Sequence, residues 1–83
     1  LHEDIFEMAA AYLFHICRDR PFQDGNKRAA LVCALVFLDL NGVIIEDPDE
    51  ILFDLTTRVA SGNADKAEIT GVFRKLARES KQA

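Results

Sequence analysis

The residues most able to do chemistry stand together in one short segment, Arg20-Pro21-Phe22-Gln23-Asp24-Gly25-Asn26-Lys27-Arg28. It combines a carboxylate, an amide side chain and two cations with turn-forming residues, and good helix formers follow from Asn26 to Leu40 without a breaker. The start of a helix exposes unpaired main-chain amides and carries about half a positive charge. An anion such as a phosphate can be cradled there, with Gly25 letting the backbone approach it closely. Arg28 can grip phosphate oxygens in a planar fork, Lys27 can act as a point charge, and Asp24 can hold a magnesium ion that bridges them. By type this is a nucleotide-phosphate site. The same residues also make an ordinary helix start, in which Asp24 caps, Gly25 eases the turn, Phe22 plugs the core and the cations are solvated. Residue types alone leave both readings open.

A segment of this kind needs helices to hold it. Before it, Ile5, Ala9, Tyr12, Leu13 and Ile16 recur at amphipathic helical spacing, with Glu3, Asp4 and Glu7 at the positive end, so a first helix is expected from about 3 to 18. Arg18-Asp19-Arg20-Pro21 ends it, because proline drives its predecessor out of the α region. The second helix, Asn26 to Leu40, is apolar on every face in its middle, the pattern of a rod surrounded by other helices. Asn41-Gly42 closes it, and Val43-Ile44-Ile45 is a short extended link able to pair only weakly as a strand. Asp47-Pro48-Asp49-Glu50 places a cap, a proline at the first helical position and acids in the first turn of a third helix. That helix runs to about Ala60, with Ile51, Leu52, Leu55 and Val59 on its apolar face and Ser61-Gly62-Asn63 at its end. Asp65-Lys66-Ala67-Glu68 resembles a capping box, and Ile69, Val72, Phe73 and Leu76 stripe a fourth helix before a polar, frayed tail. The expected fold class is all-α: a compact bundle of about four helices around a buried central helix. Asp47, Asp49, Glu50, Asp65 and Glu68 read as capping acids rather than a metal loop, and Tyr12 and the phenylalanines as packing residues.

Eighty-three residues make one domain, 1–83. With 49% apolar and 29% charged residues the composition is globular, not disordered or fibrous. Ten Lys and Arg against fourteen Asp and Glu give a net charge of -4, the wrong sign for binding nucleic acid through its phosphates. The longest apolar run, Ala29 to Leu38, is too short for a membrane span of about twenty residues, so a soluble, cytoplasmic protein without nucleic-acid or membrane partners is expected. Cys17 and Cys33 lack metal-site spacing and a disulfide framework and read as small core residues. The helical pattern begins almost at Leu1, so the N-terminal side of the fold is expected to be truncated. Apolar surface would then be left for upstream residues, a second copy in a homo-oligomer, or a partner to cover.

Residues 20 to 28 resemble the loop of the Fic/Doc family, His-x-Phe-x-Asp/Glu-Gly/Ala-Asn-Gly/Lys-Arg, at Phe22, Asp24, Gly25, Asn26, Lys27 and Arg28. The resemblance continues through Asp4-Ile5-Phe6-Glu7 and Ala11-Tyr12-Leu13 before the loop, and through Ala30-Leu31, Leu38, Asn41-Gly42-Val43 and Asp54-Leu55-Thr56 after it. Lys27, where adenylylating Fic enzymes carry glycine, and the short length point to the Doc, or death-on-curing, branch of toxins. The resemblance implies an all-α core whose loop binds ATP with Mg2+. In it Phe22 anchors the loop, Asp24 binds the metal, Gly25 and Asn26 form the anion hole, and Lys27 and Arg28 hold phosphates. It further implies a protein kinase that phosphorylates a threonine of elongation factor Tu and arrests translation, restrained by a Phd-like antitoxin whose C-terminal segment docks as a helix in a groove. Phosphoryl transfer suits such a site, since it depends mostly on positioning and charge neutralisation.

One departure is large. The family's catalytic histidine, which takes the proton from the attacking hydroxyl, corresponds to Arg20. A guanidinium with a pKa above about 12 cannot accept that proton near neutrality, whereas imidazole titrates near 6.5. The chain as written is therefore expected to be inactive or nearly so, whether Arg20 is a silencing substitution or a naturally degenerate copy. His15 and His2 lack the loop position and read as ordinary helical histidines. Two further readings follow: a non-catalytic Fic-like module that binds an anion, nucleotide or antitoxin, and an adenylyltransferase, which Lys27 disfavours.

Overall fold

The computed structural model describes residues 4–19, 24–47 and 49–79. Four helices follow in order, α1 (Ile5–Asp19), α2 (Asp24–Leu40), α3 (Ile51–Ala60) and α4 (Lys66–Leu76), with short strands β1 (Val43–Ile45) after α2 and β2 (Ala77–Glu79) after α4. The all-α expectation holds. α1 packs most extensively on α2 and next on α4, while α3 lies against both α1 and α2. Each helix contributes its core residues at three- and four-residue spacing: Ala9, Leu13 and Cys17 from α1, Ala30, Ala34 and Leu38 from α2, Leu52, Leu55 and Val59 from α3, Ile69 and Phe73 from α4. The buried Thr56 hydroxyl costs little, because it donates to the Leu52 carbonyl at 2.7 Å.

Local chemistry sets the ends. Gly42 (φ 85°) and Gly62 (φ 86°) take the left-handed conformation that closes α2 and α3. At α4 the Asp65 carboxylate accepts from the Glu68 N–H at 2.9 Å, one half of the capping box. Glu68 reaches instead to Arg58 of α3, at 2.7 Å, and ties the two helices together.

Several expectations are corrected. α3 begins at Ile51, and Glu50 stands before it in the left-handed region (φ 55°) without a side-chain cap. Asp47 does the capping from further back, its two oxygens accepting from Ile51 N–H at 2.8 Å and Leu52 N–H at 2.9 Å. Pro48 lies outside the described residues. The expected frayed tail begins as a strand: β2 pairs antiparallel with β1, Val43 opposite Glu79 and Ile45 opposite Ala77, and the ladder is extended by Glu46 N–H on the Leu76 carbonyl at 3.1 Å. The apolar link after α2 thus finds a partner at the far end of the chain. The buried central rod expected of α2 is corrected: α1 is the helix that packs on all three others, and α2 leaves Val32, Cys33, Val36 and Leu40 exposed, Leu40 by 81%. Cys17 is a core residue as expected and Cys33 is not. Ile51 and Tyr12 also face outward, Tyr12 resting edge-on against Phe37. Helical spacing names a stripe, but only neighbours can cover it.

At the head of α1, Asp4 accepts from Phe6 N–H at 2.8 Å and pairs with Arg74 of α4. Burial acts to raise its pKa, but the hydrogen bonds from Phe6 and Glu7 amides and the Arg74 guanidinium outweigh this and hold the carboxyl below the usual carboxylate range. A depressed carboxylate contributes stability that is present above its unfolded pKa of about 3.9 and is lost as pH falls through the lower folded value. Asp4→Asn keeps a capping side chain and removes the charge. Its melting temperature is expected to trail that of the parent at pH 7 and to converge with it near pH 2. A gap that does not change with pH would refute the linkage.

Candidate nucleotide-phosphate site

The structure extends α2 two residues upstream of the expected start, so that Asp24, Gly25 and Asn26 form its first turn. The first helical amides make no intrahelical bond, so Asp and Gly are tolerated there, and an acid is favoured at the positive end. The amides of Asp24, Gly25 and Asn26 have no carbonyl four residues behind them within the helix. They are the donors an anion would meet, and Gly25 serves within this turn rather than in a loop. Arg20 and Phe22 lie outside the described residues, as do the side chains of Asp24 and Asn26.

The two cations diverge from this turn. Lys27 is half-buried, and its ammonium acts on the buried thiol of Cys17 in α1. Burial pushes that thiol up, and the Lys27 charge pulls it partly back. Arg28, one residue on and about 100° further around the helix, is exposed, and its guanidinium carbon lies 5.2 Å from the centre of the Phe53 ring on α3. The mouth of α2 is thus bracketed by positive charge, one cation leaning toward α1 and the other toward α3. Phe53 is the residue that sequence reasoning missed. The signal for it is its register: Leu52, Leu55, Thr56 and Val59 form the buried face of α3, and Phe53 falls outside that set.

Other expectations for the site resolve by position. His15 is exposed on α1 with its ring edge-on to Phe14, centroids 5.5 Å apart, and His2 lies outside the described residues. Asp47 and Asp65 serve as caps. Among the described residues, no group of three His, Cys, Asp or Glu side chains could hold a metal by itself. Two apolar grooves run along the exposed side of α2, away from its first turn. One, about 370 Å³, is lined by Val32, Val36, Val43 and Ile44, and the other, about 390 Å³, by Tyr12, Ile16, Cys33 and Leu40. No described helix is long and apolar enough to cross a membrane.

Residues 1–38, which contain α1 and all of α2 but its last two residues, match the model of the Fic/DOC family. Over 73 residues the chain is 42% identical to the protein kinase doc of Escherichia phage P1, covering 88% of this chain and 57% of that protein. It is 30% identical over 73 residues to the toxin Doc of Mycolicibacterium smegmatis, covering 81% of this chain and 56% of that one. The chain spans a little over half the length of these curated relatives.

Proposed function

The chain belongs to the Fic/Doc family, and from that premise we propose that it is a Doc-type toxin, a nucleotide-dependent protein kinase of a bacterial toxin-antitoxin pair, silenced at Arg20. The observation that carries this reading is the first turn of α2, where Asp24, Gly25 and Asn26 have no partner carbonyl within the helix and Lys27 and Arg28 follow directly. These residues fit a triphosphate: main-chain donors and a forked guanidinium suit phosphate oxygens, and a compact ammonium adds charge. Asp24 suits magnesium, which keeps most of its waters and asks for only one or two carboxylates when it arrives with a nucleotide. The bound ATP and Mg2+ would supply the γ-phosphoryl group and neutralise its charge. The chain's own part is to orient the phosphates; taking the proton from the attacking hydroxyl would fall to position 20, where Arg20 cannot do it.

In this reading the protein works in the cytoplasm, its substrate is a threonine of elongation factor Tu, and a Phd-like antitoxin restrains it. The name of the phage relative, a protein kinase, supports phosphoryl transfer, and the toxin name of the mycobacterial relative supports the antitoxin pairing. The test is label transfer by the Arg20→His variant of the full-length protein. Label from γ-phosphate-labelled ATP is expected on elongation factor Tu, and label from α-phosphate-labelled ATP is not. Transfer of the α label would make the protein an adenylyltransferase instead. Arg20 itself favours a second reading, a non-catalytic module that retains nucleotide, anion or antitoxin, because a guanidinium cannot serve as the base.

A further inference from the structure

We propose that Phe53 is a positioning residue for Arg28, holding the guanidinium over its ring so that the in-plane N–H groups stay free to fork a phosphate at the mouth of α2. The proposal rests on the phosphate site proposed above and deepens it. The guanidinium carbon lies 5.2 Å from the ring centre, within the range of a cation–π contact. A guanidinium stacked flat on a ring leaves its edge donors unused. Among the carboxylates whose side chains are described, none pairs with Arg28. Phe53 is 37% exposed and stands off the buried face of α3, so packing alone does not explain a large aromatic ring at this position. Arginine is among the side chains that lose most rotamer freedom on ordering. A ring that restricts it beforehand lowers what phosphate binding must still order.

The experiment has two arms, both on the full-length protein. Without nucleotide, the Arg28 side-chain protons are expected to show an upfield ring-current shift in NMR spectra, lost in Phe53→Leu and kept in Phe53→Tyr. Titration with magnesium-ATP is expected to show Phe53→Leu binding about two- to five-fold more weakly, the worth of an exposed cation–π contact. Phe53→Tyr should bind as the parent does, and Phe53→Leu should have no further effect in an Arg28→Ala background. Matching melting temperatures for the Leu and Tyr variants guard against a folding effect. Absence of the ring-current shift, unchanged or tighter binding by Phe53→Leu, or an equal loss in the Arg28→Ala background would each overturn the role of Phe53 and leave the phosphate site standing. Failure of the parent to bind magnesium-ATP at all would overturn both.

Discussion

Replacing Arg20 with histidine is expected to raise phosphoryl transfer by about two to four orders of magnitude, the range a well-placed general base contributes. A guanidinium stays protonated far above neutrality, and it has no lone pair to offer an incoming proton. In the proposed reading the site at the mouth of α2 is expected still to bind and neutralise phosphates, because those duties would fall to main-chain amides and to Lys27 and Arg28. Binding and chemistry should therefore separate. The Arg20→His variant should hold magnesium-ATP much as the parent does, within the change expected from losing one positive charge, while its transfer rate rises steeply. Its rate should also climb with pH through a midpoint near 6.5, the signature of an imidazole that must be neutral to act. A rise of less than about ten-fold, measured with nucleotide bound and the protein folded, would favour the binding-module reading.

The largest stability effect is expected at Phe73. Among the described residues it is the largest side chain with no exposure, carried by α4 into a core otherwise built from smaller residues, alanines, aliphatics and Cys17. Truncation removes both transfer free energy and packing, and Phe→Ala in a core typically costs about 3–5 kcal/mol. Domains below about 100 residues have thin cores and stabilities toward the low end of about 5–15 kcal/mol, so this one change should leave little margin. Phe73→Ala is expected to lower the urea midpoint sharply or to leave the protein unfolded at 37 °C. Leu40→Ala, on an 81% exposed side chain, should shift it by no more than about 0.5 kcal/mol. Equal shifts for the two variants would mean that the packing described here is wrong.

Some of this was legible from local residues alone. The stripe Ile69, Val72, Phe73, Leu76 identifies α4, and Asp65 three residues before Glu68 marks its start, because capping joins atoms that are neighbours in sequence. Gly42 and Gly62 mark helix ends for the same reason. That residues 24–28 offer donors suited to an anion was readable too, since it follows from residue types at a helix start, but those types left an ordinary helix start equally open. The exact start was not readable: whether Asp24 caps or enters the first turn depends on small local differences that residue type does not resolve. The strand pairing of Val43–Ile45 was out of reach because its partner lies more than thirty residues away at Ala77–Glu79.

The sequence by itself determined four helices, their polarity, a cluster of amide, acid and cations at the start of α2, and a position 20 that cannot act as a base. These depend on periodicity, termini and side-chain chemistry, all of which operate within a few residues. Tertiary structure alone decided which of two equivalent thiols is buried, Cys17 rather than Cys33, and where two adjacent cations go, Lys27 toward α1 and Arg28 onto the ring of Phe53. Burial and the partner of a charge are properties of whatever lies alongside, and chain folding brings those neighbours from far away in sequence.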